Sequence, residues 1–159
     1  MILEIITHSV EETRDLGKKI AKCLSKGDVI TLDGDLGAGK TTFTQGVGLG
    51  LNIKQTINSP TFNILKCYFD GTLPLYHIDA YRLEDNVNAD IGLEEVIQGD
   101  GVCLIEWSKF IPTLIFEPLK INIEILLDST RKFIIESNNK KYQKVFNCLK
   151  EEIWVIYYC

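Results

Sequence analysis

The chain has 159 residues, 45% hydrophobic and 25% charged, and carries a formal net charge of −5. That length suits one domain, residues 1–159, with a core that needs neither disulfides nor structural metal. An acidic chain without clustered Lys and Arg excludes a broad nucleic-acid-gripping surface, and no apolar run approaches the ~20 residues needed to span a membrane. The first residues lack the basic stretch and cleavage site of a secretory signal. The five cysteines are odd in number and form no Cys-x-x-Cys pair. They read as reduced, mostly buried thiols of a cytosolic protein. His8 and His77 are not spaced with any cysteine as zinc ligands.

In chain order, residues 2–6 read as a short strand. Ser9 and Glu12 then form a capping box, and Thr13, Leu16, Ile20 and Leu24 recur at helical spacing. Residues 29–32 form a short apolar strand of the kind buried on both faces. A helix is expected from Lys40 to about Leu51. Gly46, Gly48 and Gly50 weaken it, each by ~1 kcal/mol against Ala, and would suit close packing. Residues 62–69 and 73–78 flank Asp70-Gly71 as a hairpin. Residues 88–98 read as a short helix and 101–106 as an apolar strand. Residues 121–127 and 132–136 read as a second hairpin. The helix from residue 140 to 151 sets Tyr142, Val145, Phe146 and Leu149 on one face. The early strand–helix–strand order predicts parallel strands with right-handed crossovers. The hairpins predict antiparallel additions in the C-terminal half. The fold class is therefore α/β: a P-loop NTPase-like mixed β-sheet flanked by helices. Residues 153–159 make an apolar tail.

Gly34-Asp35-Leu36-Gly37-Ala38-Gly39-Lys40-Thr41 matches Gly-x-x-x-x-Gly-Lys-Thr between a strand and a helix. Glycines let the backbone turn its N–H groups toward phosphate oxygens, and the helix N-terminus points its partial positive charge at them. Lys40 reaches for the β- and γ-phosphates and the Thr41 hydroxyl for magnesium. Such a site needs a carboxylate to complete the magnesium shell. Asp79 and Glu106 each end an apolar strand at the edge where open α/β sheets place ligands. Both are candidates for the metal, and a turn-capping or ion-pairing carboxylate is the plainer alternative for each. Thr61 suits either a γ-phosphate-sensing switch or ordinary turn chemistry. His77 shares a strand face with Asp79, and either orients a ligand or is packed and hydrogen-bonded in the core. Trp107 either lies over nucleotide or fills core.

The ordered set Gly34 to Thr42, Ser59-Pro60-Thr61-Phe62, His77-Ile78-Asp79-Ala80-Tyr81-Arg82-Leu83 and Ile105-Glu106-Trp107 resembles the TsaE family. These are the small bacterial ATPases of tRNA threonylcarbamoyladenosine biosynthesis. The resemblance runs from Leu3 to about Ser137. It implies a cytoplasmic ATPase, weak alone, that uses ATP and Mg2+ and acts on a TsaB–TsaD complex, touching tRNA only through that complex. It implies catalytic roles for Lys40, Asp79 and Glu106, and a metal set of Thr41, Asp79 and Glu106. The implied nucleotide site comprises Asp35, Leu36, Gly37, Ala38, Gly39, Lys40, Thr41, Thr42, Trp107 and Arg131. Two departures stand out. Ser108 occupies a position where the family often has proline, and the apolar tail has no family counterpart.

Three other functions are weighed against this one. A nucleotide-dependent regulatory module with little turnover would use the same loop. A small-molecule kinase would need an arginine-rich lid, whereas Arg14, Arg82 and Arg131 are scattered. A GTPase is disfavoured because no Asn-Lys-x-Asp segment is present to read guanine.

Overall fold

The computed structural model describes residues 1–60, 63–84 and 92–152. Seven strands form one mixed sheet: β1 (Ile2–Thr7), β2 (Val29–Gly34), β3 (Leu65–Tyr68), β4 (Leu75–Asp79), β5 (Val102–Glu106), β6 (Leu119–Leu127) and β7 (Thr130–Glu136). The helices are α1 (Val10–Lys22), α2 (Lys40–Gly50), α3 (Leu93–Ile97) and α4 (Gln143–Glu152). The strand order is β1-β7-β6-β2-β5-β4-β3. Strands β6, β2, β5 and β4 are mutually parallel, whereas β3, β7 and β1 pair antiparallel with their neighbours. Both predicted hairpins are present, as β3–β4 and β6–β7. Strand β1 does not pair with β2. It closes the far edge against β7, because the parallel partners of β2 come from later in the chain.

All five residues of β5 are buried, and the four side chains before Glu106 divide between two cores. Val102 and Leu104 join Ile30, Leu32, Phe43 and Phe146 on the face covered by α1, α2 and α4. Cys103 and Ile105 join Ile78, Leu93, Ile97 and Ile111 on the other face. Strand periodicity of two makes this division, and a central strand covered on both sides needs apolar residues throughout. Tyr142 is fully buried at the foot of α4. Its hydroxyl accepts from the Val29 N–H at 2.8 Å and donates to the Val29 carbonyl at 3.0 Å, fastening that helix to β2.

Helix α1 starts as its sequence predicts, with the Ser9 hydroxyl accepting from the Glu12 N–H at 3.1 Å. The Glu12 carboxylate reaches one residue further back than a capping box requires, to the His8 N–H at 2.6 Å. Helices α1 and α2 pack backbone to backbone. A Cβ on Gly46 would press into the Arg14 carbonyl, and one on Gly17 into the Phe43 carbonyl. The α2 glycines thus give close packing, as their sequence suggested.

The reading of all cysteines as reduced is overturned. Cys23 and Cys148 form a disulfide, with Cα atoms 6.8 Å apart. Packing of α4 beside α1 on one sheet face brings together residues 125 positions apart in sequence. Cys103 is a buried free thiol and Cys67 an exposed one. The helix expected over residues 88–98 is seen as α3, its first part and the tail 153–159 lying outside the described residues. Among the described residues no helix is long and apolar enough to cross a membrane.

Candidate functional site

Strand β2 delivers the chain to Gly34, and α2 begins at Lys40. Between them the backbone turns tightly, with Gly37 at φ 80° and Gly39 at φ 104°, a left-handed region that a side chain resists. Gly39 is the N-cap of α2, and no side chain caps that helix. Its first N–H groups and its dipole are left for a ligand. The Lys40 ammonium donates to the Gly34 carbonyl at 2.5 Å and to the Asp35 carbonyl at 3.3 Å, folded back on its own loop.

The loop faces a cleft of about 500 Å³. Leu36, Gly37, Ala38, Gly39, Lys40, Thr41, Thr42, Ser59, Asp79, Glu106 and Trp107 line it. A cavity of this size suits a small-molecule ligand. Asp79 and Glu106 stand opposite each other in the β4–β5 register, and Glu106 is also in register with Leu32 of β2. Glu106 is buried. Burial pushes the Asp79 carboxyl above the usual carboxylate range. The Tyr81 N–H, at 3.0 Å, opposes that shift, and the nearby Glu106 charge adds to it. Two carboxylates held side by side could share a cation. The donors gathered here are oxygens, which suits magnesium better than a soft metal.

Arg131 does not line the cleft. It reaches from β7 to the back of the loop, where Nε donates to the Ala38 carbonyl at 3.0 Å and Nη2 to the Gly37 carbonyl at 3.3 Å. These bonds tie the Gly37 and Ala38 carbonyls to β7. Asp35 also lies outside the main cleft. With Asp33, Lys109 and Asn122 it borders a neighbouring depression of about 390 Å³ that shares Lys40 and Trp107.

Trp107 meets both clefts and packs with Tyr81 and Phe110, ring centroids 4.9 and 5.9 Å away. It adopts φ 56° and leads directly into the 3₁₀ turn Ser108–Phe110. A left-handed tryptophan is a strained backbone position of the kind found at functional sites. This is the local shape taken where Ser108 stands in place of proline.

The family model described as "Threonylcarbamoyl adenosine biosynthesis protein TsaE" matches residues 7–133. The chain belongs to the TsaE family. It is similar to "tRNA threonylcarbamoyladenosine biosynthesis protein TsaE" of Bacillus subtilis (strain 168), 48% identical over 138 residues covering 86% of this chain and 87% of that one. The protein of the same name from Treponema pallidum (strain Nichols) is 38% identical over 135 residues, covering 84% and 99%. A crystal structure of YdiB from Bacillus subtilis superposes with a TM-score of 0.83 at 39% identity, over 95% of each chain.

In this TsaE-family chain the residues expected from sequence meet in one cleft, apart from Asp35 behind the loop and Arg131 beneath it. Thr61 lies outside the described residues. Ser59 lines the cleft although its motif pointed to Thr61. Lys109, exposed beside the loop, was visible in sequence only as the residue two past Trp107. Its ammonium stacks 5.1 Å over both the Trp107 and Phe110 rings.

Proposed function

We propose that this TsaE-family protein binds ATP with magnesium and hydrolyses ATP to support threonylcarbamoyladenosine formation on tRNA, acting on a TsaB–TsaD complex. The observation that carries the proposal is one cleft in which an uncapped helix N-terminus, Lys40 and Thr41 face two strand-end carboxylates. Phosphates would sit on the loop N–H groups. Lys40 must leave the Gly34 and Asp35 carbonyls to meet them, so occupancy reshapes the loop. Thr41 with Asp79 or Glu106 would hold magnesium, which when bound neutralises charge on the phosphate oxygens. The remaining acid would orient the attacking water. Leu36 is 99% exposed beside this cleft, an apolar contact available to a partner. The net charge of −5 fits contact with tRNA through that complex rather than directly.

The Lys40 contacts also favour a second reading, a nucleotide-dependent switch with little turnover, because occupancy alone rearranges the loop. Single-turnover ATP hydrolysis with and without TsaB and TsaD homologues separates the two. Stimulation by the partners supports the ATPase, and a rate they never raise supports the switch. Lys40→Ala abolishes ATP binding in the folded protein, and Glu106→Gln lowers turnover about 100-fold with a smaller loss of binding. Unchanged affinity in Lys40→Ala refutes the site.

A further inference from the structure

His77 precedes Asp79 by two residues on β4 and therefore shares its face of the strand. Its side chain is 0% exposed, and Nε2 lies 3.3 Å from Oε2 of Glu106, itself 5% exposed. Yet among the described residues neither ring nitrogen of His77 completes a hydrogen bond. The distance to Glu106 is short enough, but the alignment is not. Buried polar atoms left in this state are rare in native proteins. A neutral imidazole carries one N–H and one bare nitrogen, and the hydrogen is best placed where an acceptor exists. Among the described residues Nδ1 has no acceptor, whereas Nε2 faces a carboxylate.

We propose that His77 is a positioning residue for Glu106: its Nε2–H donates to the Glu106 carboxylate and fixes which oxygen that carboxylate presents to the cleft. A small rotation of the carboxylate completes the bond. The assignment rests on the reading of Glu106 as a ligand to metal or water. It gives His77 the part that groups behind metal ligands commonly play, holding the ligand's orientation rather than touching the substrate.

Two measurements test it. The chain has two histidines, so a His8→Gln background leaves one imidazole for 15N NMR. A proton on Nε2 is expected, and a proton on Nδ1 alone overturns the proposal whether or not any variant folds. The second compares His77→Phe, which keeps a ring but no donor, with His77→Gln, whose amide reaches the Nε2 position. In His77→Phe, kcat and Mn2+ affinity by electron paramagnetic resonance should fall about 10–100-fold, with KM for ATP little changed. His77→Gln should restore most of both. Equal activity in both variants and the parent, or equal loss in both, overturns it. The two levels fail separately. ATP binding that persists in Lys40→Ala removes the nucleotide site and leaves the His77 proton assignment standing, while an Nδ1 proton removes the positioning role alone.

Discussion

Gly46→Ala sets two effects of opposite sign against each other. Alanine in a helix interior is favoured over glycine by ~1 kcal/mol, so propensity alone predicts a more stable protein. The new Cβ would press into the Arg14 carbonyl oxygen and stand 2.9 and 3.0 Å from the Arg14 carbonyl carbon and Cα. Ordinary carbon contacts lie at about 3.5 Å, so α1 and α2 must part by roughly 1 Å. Every blocking atom is backbone, and no rotamer change clears the way. Overpacking of this kind costs about 1–3 kcal/mol, here toward the upper end. The net effect is destabilisation by about 2 kcal/mol, or a fall in Tm of about 4–8 °C for a chain of this size. Function should suffer further, because α2 begins with Lys40 and Thr41. A 1 Å displacement of a positioning element costs on the order of 100-fold in rate. Urea unfolding followed by circular dichroism gives the stability, and single-turnover ATP hydrolysis gives the rate. A variant as stable as the parent, with unchanged turnover, refutes the reasoning.

Three other perturbations have defined outcomes. Because burial raises the Asp79 carboxyl in the folded state, the native protein binds more protons than the unfolded chain between the two pKa values, and stability falls as pH rises through that window. Metal-free Asp79→Asn should therefore melt higher than the parent at pH 7, with the gap closing as pH falls below the ordinary carboxylate value. A lower melting point at pH 7 would mean that the bond from Tyr81 outweighs desolvation. Arg131→Met removes the donors to the Gly37 and Ala38 carbonyls. Charge-assisted bonds at a partly exposed site are worth about 1–2 kcal/mol together, so ATP affinity should drop about 10-fold in a fluorescence titration, and unchanged affinity would exclude the clamp. Non-reducing peptide mapping should find Cys23 joined to Cys148. Reduction should lower stability by up to about 5 kcal/mol, because the closed loop spans 125 residues, and it should leave turnover of the folded protein intact. Absence of the cross-link in oxidised protein contradicts this.

The parts of the site legible in sequence are those built from short-range chemistry. Gly34 to Thr41 announce themselves because their motif is one turn between one strand and one helix. Asp79 and Glu106 are legible because each ends an apolar run. Contacts between distant segments leave no such signal. Arg131 meets Ala38 across 93 residues, and its guanidinium could equally have faced a ligand, which is why sequence pointed to the nucleotide and the structure to the loop's carbonyls. The Cys23–Cys148 bond depends on two amphipathic helices landing on the same face. Likewise β1 carries nothing in its six residues that selects β7 over β2 as a partner. His77 shows the boundary clearly. Alternation along β4 places it with Asp79, but the missing hydrogen bond exists only in three dimensions.

The convergence of the two acids follows from strand order. Strands β4 and β5 lie 27 positions apart in register, yet they are parallel neighbours and both run parallel with β2. Their carboxyl ends therefore emerge at the same edge as Gly34, where the glycine-rich loop begins. An acid placed last on either strand is thereby delivered to the edge where the loop lies. Glu106 ends the strand directly beside β2, in register with Leu32, and Asp79 ends the next one out. Burial at this edge raises the Asp79 carboxyl, and the parallel pairing that sets Glu106 beside it adds to that shift against the opposing bond from the Tyr81 N–H.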